Sequence, residues 1–331
     1  MTKYEVVNKT YVKSNNKSST ILSRYTYTLI AFTILSLIIN LIIGNDIIPV
    51  IKNIFISLVV TCLLTYIINL IKRKNNFKSI LIEDDAIAIG LILGIFQCSN
   101  IIVLLISIII TLIIKNICKN MNLSAAIYGI LIIALYNNYI AKDVITPLIY
   151  LKNISNSIDF KEIIDYGGGI LNYLFGISYL SPLLSVFVFI YLFYKKGIKY
   201  NIVIYYILTI ALIFTSYGFA KGIPWLIFIE LFSDSLIFLT IYILTDYKNS
   251  PTIEETGMLY GIILGIITAI LRFIIPNLAV IITIIIGSLV LTKILEKNSY
   301  KLKYHPKTYK ISVIASIILV IITTIILVII N

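Results

Sequence analysis

The sequence predicts an all-α protein that crosses a lipid bilayer about eleven times, and three observations carry that reading. Apolar runs long enough to span a membrane recur from residue 26 to residue 330. Only 13% of the residues are charged, against about a quarter in soluble domains. The basic residues fall in short clusters between the apolar runs, which is how charge sets orientation in a bilayer. With 60% hydrophobic residues and a mean hydropathy of +1.02, a soluble enzyme with a water-facing surface is excluded.

A hydrocarbon core takes about 20 apolar residues of helix, because in lipid only a helix or a closed barrel satisfies its own backbone. On that criterion the spans lie at 26–43, 54–71, 86–98, 100–114, 123–140, 168–194, 200–217, 223–245, 257–274, 276–292 and 311–330. The third is short enough to suggest a half-helix that re-enters the face it left. The sequence divides into a basic tail (1–25), a membrane region of about ten helices (26–293), a basic loop (294–310) and one further helix (311–331). No small-x-small cleavage site follows the first apolar run, so that run is expected to remain as a helix.

Alternating eleven full spans with the amino terminus inside puts 21 of the 27 basic residues on the inner side. The outer side keeps Lys52, Lys142, Lys152, Lys161, Lys221 and Arg272. A re-entrant third segment spoils that split, so eleven full spans is the expectation, with the carboxy terminus outside a cytoplasmic (inner) membrane. The net charge of +12 is thereby used up in orientation, and nucleic acid is not expected as a partner. The basic loops suit anionic lipid headgroups.

Polar chemistry inside the apolar runs is sparse. Cys62, Cys98 and Cys118 fall in or at the ends of separate spans with no metal-ligand spacing, and His305 stands alone in a basic loop, so no metal site and no catalytic group are expected. Glu230 and Asp234, four apart in the eighth span, are expected on one helix face directed into the bundle, since a carboxylate facing lipid costs about 2.5 kcal/mol or more. With Asp246, Glu254 and Glu255 at the inner mouth, they form a candidate ion or proton path. The alternative is that they hydrogen-bond neighbouring helices. An internal echo links residues 82–95 to 253–266: Ile82/Ile253, Glu83/Glu254, Gly90/Gly261 and Gly94/Gly265 share one offset of 171. Acids at a helix start suit its dipole, and glycines four apart admit a neighbouring backbone, so the echo suggests a duplicated helix entry.

Residues 228–272 carry a recognisable order of residues: Ser233, then Thr245-Asp246, Ser250-Pro251-Thr252, Gly261, Gly265 and Arg272. This resembles the membrane subunits shared by the Rnf electron-transport complex (its D subunit) and the sodium-translocating NADH:quinone oxidoreductase (its B subunit). Glu83–Gly94 is similar to that family's helix entry, and Met121–Ala126 to its Asn-x-Phe-Asn-Pro-Ala turn. The resemblance covers about 77–293. It implies a flavin-dependent, ion-translocating electron-transport complex with further membrane subunits, FMN attached covalently to a threonine, and a second, non-covalent flavin. Thr146-Pro147-Leu148, in the outer loop 141–167, stands where that threonine is expected.

The departures keep other readings open. In place of the family's Gly-Ser-x-Gly-Glu-Thr-Ser run, residues 176–181 read GISYLS and keep Ser181. Around Thr146 the expected alanine, Ser/Thr and acid are Ile145, Asp143 and Ile140. Two alternatives therefore stand beside the redox subunit: a transporter or channel that kept the fold without the flavin, and a scaffold subunit.

Overall fold

The computed structural model describes residues 18–71, 85–118, 121–141, 174–176, 180–233, 235–251, 253–295 and 306–330. All the regular structure among them is helical: α1 (Ser18–Ile43), α2 (Ile48–Ile71), α3 (Ala86–Ile95), α4 (Ile101–Ile117), α5 (Ala126–Leu135), α6 (Pro182–Tyr194), α7 (Tyr200–Ala220), α8 (Leu226–Phe232), α9 (Leu236–Leu239), α10 (Glu254–Ile274), α11 (Ala279–Ile286) and α12 (Pro306–Ile330). Short π-helical stretches prolong α5 (Tyr136–Ala141), α9 (Thr240–Leu244) and α11 (Gly287–Leu291). Each expected span thus contains a helix, and the molecule is a polytopic helical membrane protein.

Six of the helices are long and apolar enough to cross a membrane, and α8 with α9 makes a seventh as a bent pair. The exceptions are informative. At ten residues α3 is only about 15 Å long, half a hydrocarbon core. A single straight eighth span over 223–245 is not what forms: the helix stops at Phe232 and the two halves are inclined by 48°. At the amino-terminal end α1 starts at Ser18, eight residues before the expected span, because Leu22 and Tyr25 are buried in the bundle and carry the helix down with them.

On α2 the side-chain distribution reverses that of a helix in a soluble protein. The exposed face is Ile, Phe, Val and Leu, while Asn53, Ser57, Thr61, Thr65 and Asn69 repeat every fourth residue on the buried face. Lipid is as apolar as leucine, so helices gain from close packing and internal hydrogen bonds instead. The echoed glycines show how. A Cβ on Gly94 would lie 2.6 Å from the Ile54 Cα, and one on Gly261 would lie 2.7 Å from the Ile202 carbonyl oxygen. Gly90 and Gly94 of α3 meet Thr61 and then Ile54, so α2 runs antiparallel to α3. Gly261 and Gly265 meet Ile202 and then Thr209, so α7 runs parallel to α10, with α8 and α9 intervening. Both glycine pairs do the same packing work against partners of opposite direction.

The loops sort onto two ends. At one end Arg24, the Asn122 turn, Lys199 and the Thr245–Pro251 loop are joined by hydrogen bonds. At the other end Asn137 donates to the Gln97 carbonyl and Asn277 to Asn138. The first end collects segments that charge assigns to the inner side, and the second collects segments assigned to the outer side. α12 packs on α7 and α10 through a narrow seam that includes Ser316 and Thr323.

Candidate functional site

Four non-glycine residues with left-handed backbone mark the starts of three short helices: Asp85 before α3, Leu180 and Ser181 before α6, and Ser235 before α9. Such conformations cost about 1–3 kcal/mol each and collect at functional sites. The interrupted ends meet. Phe96, which ends α3, lies 6.2 Å (ring centroids) from Phe238 of α9, and Phe238 lies 5.2 Å from Phe32, midway along α1. One turn on from Phe32, the Ser36 hydroxyl is 3.1 Å from the hydroxyl of Ser181, which heads α6. A cavity of about 10 Å³, room for one water, opens beside this cluster between Phe32, Thr33, Ser36, Leu37, Val50, Ile54 and Ile95. The carbonyl end of α3 and the amide ends of α6 and α9 therefore lie in one cluster of contacts around Phe32 and Phe238. Irregular backbone in a membrane protein is tolerated where it is enclosed by protein or lines a path.

Ser233 sits at the break with φ −86° and ψ 166°, fully buried, its hydroxyl without a protein hydrogen-bond partner among the described residues. α8 ends one residue earlier, at Phe232, and Asp234, expected on the same helix face as Glu230, lies outside the described residues. Glu230 is committed elsewhere: Arg272 donates to both its carboxylate and its backbone carbonyl, with both side chains buried. The Arg272 guanidinium also lies 5.9 Å from the Phe214 ring and occupies the last turn of α10, where the helix dipole favours a cation.

The Asp246 carboxylate has a different task. Its Oδ2 accepts the backbone N–H groups of Asn122 (3.1 Å) and Ser124 (2.9 Å), at the amide-rich entry to α5. The Tyr247 hydroxyl accepts from Asn122 Nδ2, and Lys248 Nζ donates to Asn122 Oδ1. Lys199 Nζ donates to the carbonyls of Tyr247 and Ser250 and to the Ser250 hydroxyl, which itself donates to the Asp246 carbonyl. The Tyr25 and Thr245 hydroxyls are 3.1 Å apart. Burial, then the charges of Asp85 and Asp246, push the Tyr247 phenol up. Thr245, Asp246 and Ser250 thus belong to one polar hub that ties α1, α5, α7 and α9 together, with Pro251 buried beside it.

Of the other sequence-predicted residues, Glu254 is exposed and Glu255 half-buried in the first turn of α10, where the dipole suits them. Gly261 and Gly265 seat α7, as above. Thr146 and Thr252 lie outside the described residues. Glu230 pairs with Arg272 in the last turn of α10, whereas the Asp246 carboxylate is bound by the Asn122 turn, so these two acids have separate partners. The aromatic junction and the hub partners Tyr25 and Lys199 were not singled out from sequence. Asn122 had its only signal in the family-like turn. Among the described residues no cluster of His, Cys, Asp or Glu suits a metal.

No curated protein matches the chain. The family model described as NQR2, RnfD, RnfE matches residues 5–297, which takes in every helix but α12, and with the Thr245–Pro251 hub and the Gly261/Gly265 contact in place the chain belongs to that family.

Proposed function

We propose that the chain is the membrane subunit of a flavin-dependent, ion-translocating electron-transport complex of the Rnf/Nqr type. The observation that supports this most is that two separate family-like stretches, Met121–Ala126 and Thr245–Pro251, are bound to each other through Asp246. Residues that look like a family motif in sequence thereby act as one structural unit.

In this reading FMN hangs from Thr146 on the outer side, next to partner subunits, and supplies one- and two-electron chemistry when bound. Pro147 disfavours helix at Thr146 and keeps the acceptor hydroxyl in extended chain, open to a transferase. The chain's own part is to hold that segment against a rigid bundle and to pass the ion. The ion crosses where α3, α6 and α9 begin or end around Phe32, Phe96 and Phe238, with Asp234 beside the break in the eighth span. Asp246 and Glu230 serve as structural anchors of this path, and Glu254 and Glu255 lend negative charge to its inner mouth.

The convergence of half-helices equally favours the second reading, a transporter or channel that kept the fold without the flavin. A spectrum of the purified chain, co-expressed with a flavin transferase, separates the two. Flavin absorbance, with a fluorescent band surviving denaturing electrophoresis, is the expected result; a colourless protein that still moves ions points to the second reading.

A further inference from the structure

The turn between α6 and α7 gathers positive charge without a counter-charge among the described residues. Lys195 and Lys196 are exposed, and Arg24 of α1 reaches across to donate to the Lys195 carbonyl at 2.6 Å. The turn is built, not loose: Lys196 N–H bonds the Phe193 carbonyl, Gly197 N–H bonds the Leu192 carbonyl, and Lys196 is held in a left-handed conformation at φ 50°. The three helices that meet here, α1, α6 and α7, contain no aspartate or glutamate. None of the described carboxylates pairs with these three cations. Directly beside them the surface becomes lipid-facing: Tyr194 is 79% exposed and lies 5.6 Å under the Lys195 ammonium, and Tyr191 and Tyr27 are exposed one turn further along their helices. Tyrosine at the edge of an apolar face marks headgroup level.

We propose that Arg24, Lys195 and Lys196 form a binding site for the phosphate of an anionic phospholipid, whose acyl chains lie along the exposed face of α6. A zwitterionic lipid lacks the net charge that the three cations leave unbalanced. A soluble partner protein would have to cover the exposed tyrosines and the apolar surface above them at the same time. The bound headgroup clamps the foot of α1 to the foot of α6, the half-helix that begins at Ser181.

The test uses the full chain, delipidated in neutral detergent and titrated with phosphatidylglycerol or phosphatidylcholine, with retained lipid counted by native mass spectrometry. Each lysine near an anionic surface contributes about five-fold in affinity, so the wild type should prefer phosphatidylglycerol by about thirty-fold or more. Lys195→Gln with Lys196→Gln should lower that preference by about thirty-fold. Lys221→Gln, at the opposite end of α7, should leave it intact. A double variant that keeps the preference, or a wild type that shows none, overturns the site. Displacement of the lipid by millimolar inorganic phosphate reassigns it to a soluble anion and overturns the lipid assignment. No flavin or electron donor is involved, so failure here leaves the electron-transport reading untouched.

Discussion

The Asp246 carboxylate accepts the Ser124 backbone N–H at 2.9 Å across 122 residues of sequence. It caps the entry to α5 from a loop on the far side of the chain, so the two segments cannot separate without exposing a buried charge and two amides. Asp246→Ala should therefore lower stability by about 2–4 kcal/mol, as loss of charge-assisted bonds and of a cap predicts. Asp246→Asn, which keeps an acceptor oxygen, should cost less. Thermal unfolding in detergent reads this directly, and an alanine variant as stable as the wild type would contradict it.

The pair Glu230–Arg272 gives a non-additive expectation. Removing one partner of a buried ion pair costs about 3–5 kcal/mol, whereas apolar replacement of both is far milder. Glu230→Gln and Arg272→Met alone should reduce yield and stability more than Glu230→Leu with Arg272→Met together. A double variant whose loss equals the sum of the two single losses would mean that the two residues are not coupled.

Gly94 and Gly265 should each resist a single methyl group. A Cβ would stand 2.6 Å from the Ile54 backbone in one case and 2.7 Å from Thr209 Cβ in the other, so alanine must push α3 off α2 or α7 off α10. A loss of about 1–3 kcal/mol is expected for each, the range for overpacking. Gly222, with open space around it but φ 75°, should suffer only backbone strain on the same substitution.

Several of these features could be read from sequence and others could not, for physical reasons. The glycine pairs were legible because helix periodicity places residues four apart on one face whatever the partner. The break at Ser233 was not, because Phe232 to Ser235 contains no proline or glycine and its short Ser-Asp-Ser step lies between two apolar runs; it coincides with the packing around Phe238 and the Arg272 grip on Glu230. The bonds of Asp246 were not legible because its partners are backbone amides, which carry no side-chain signature. The short α3 left a trace in the acids before Ala86 and the polar Cys98-Ser99-Asn100 after it, but the charge split favoured full spans.

The hub sets a pH limit. Tyr247 is neutral when protonated, and its phenol is held above its ordinary value of 10.0 by burial and by the nearby carboxylates. A raised native value means stability that is complete below the unfolded value and is lost as pH climbs above it. Thermal stability should therefore fall above about pH 10. Tyr247→Phe should flatten that decline at the expense of the Asn122 contact. A variant with the same alkaline decline as the wild type would remove Tyr247 from the account.

Flavin dependence is the central claim, and intact-mass spectrometry of the whole chain co-expressed with a flavin transferase tests it most directly. The account predicts one added FMN on the wild-type polypeptide and none on Thr146→Ala, with both proteins inserted to the same level. A wild-type mass that shows only bare polypeptide under those conditions contradicts it and leaves the flavin-free transporter as the function of this fold.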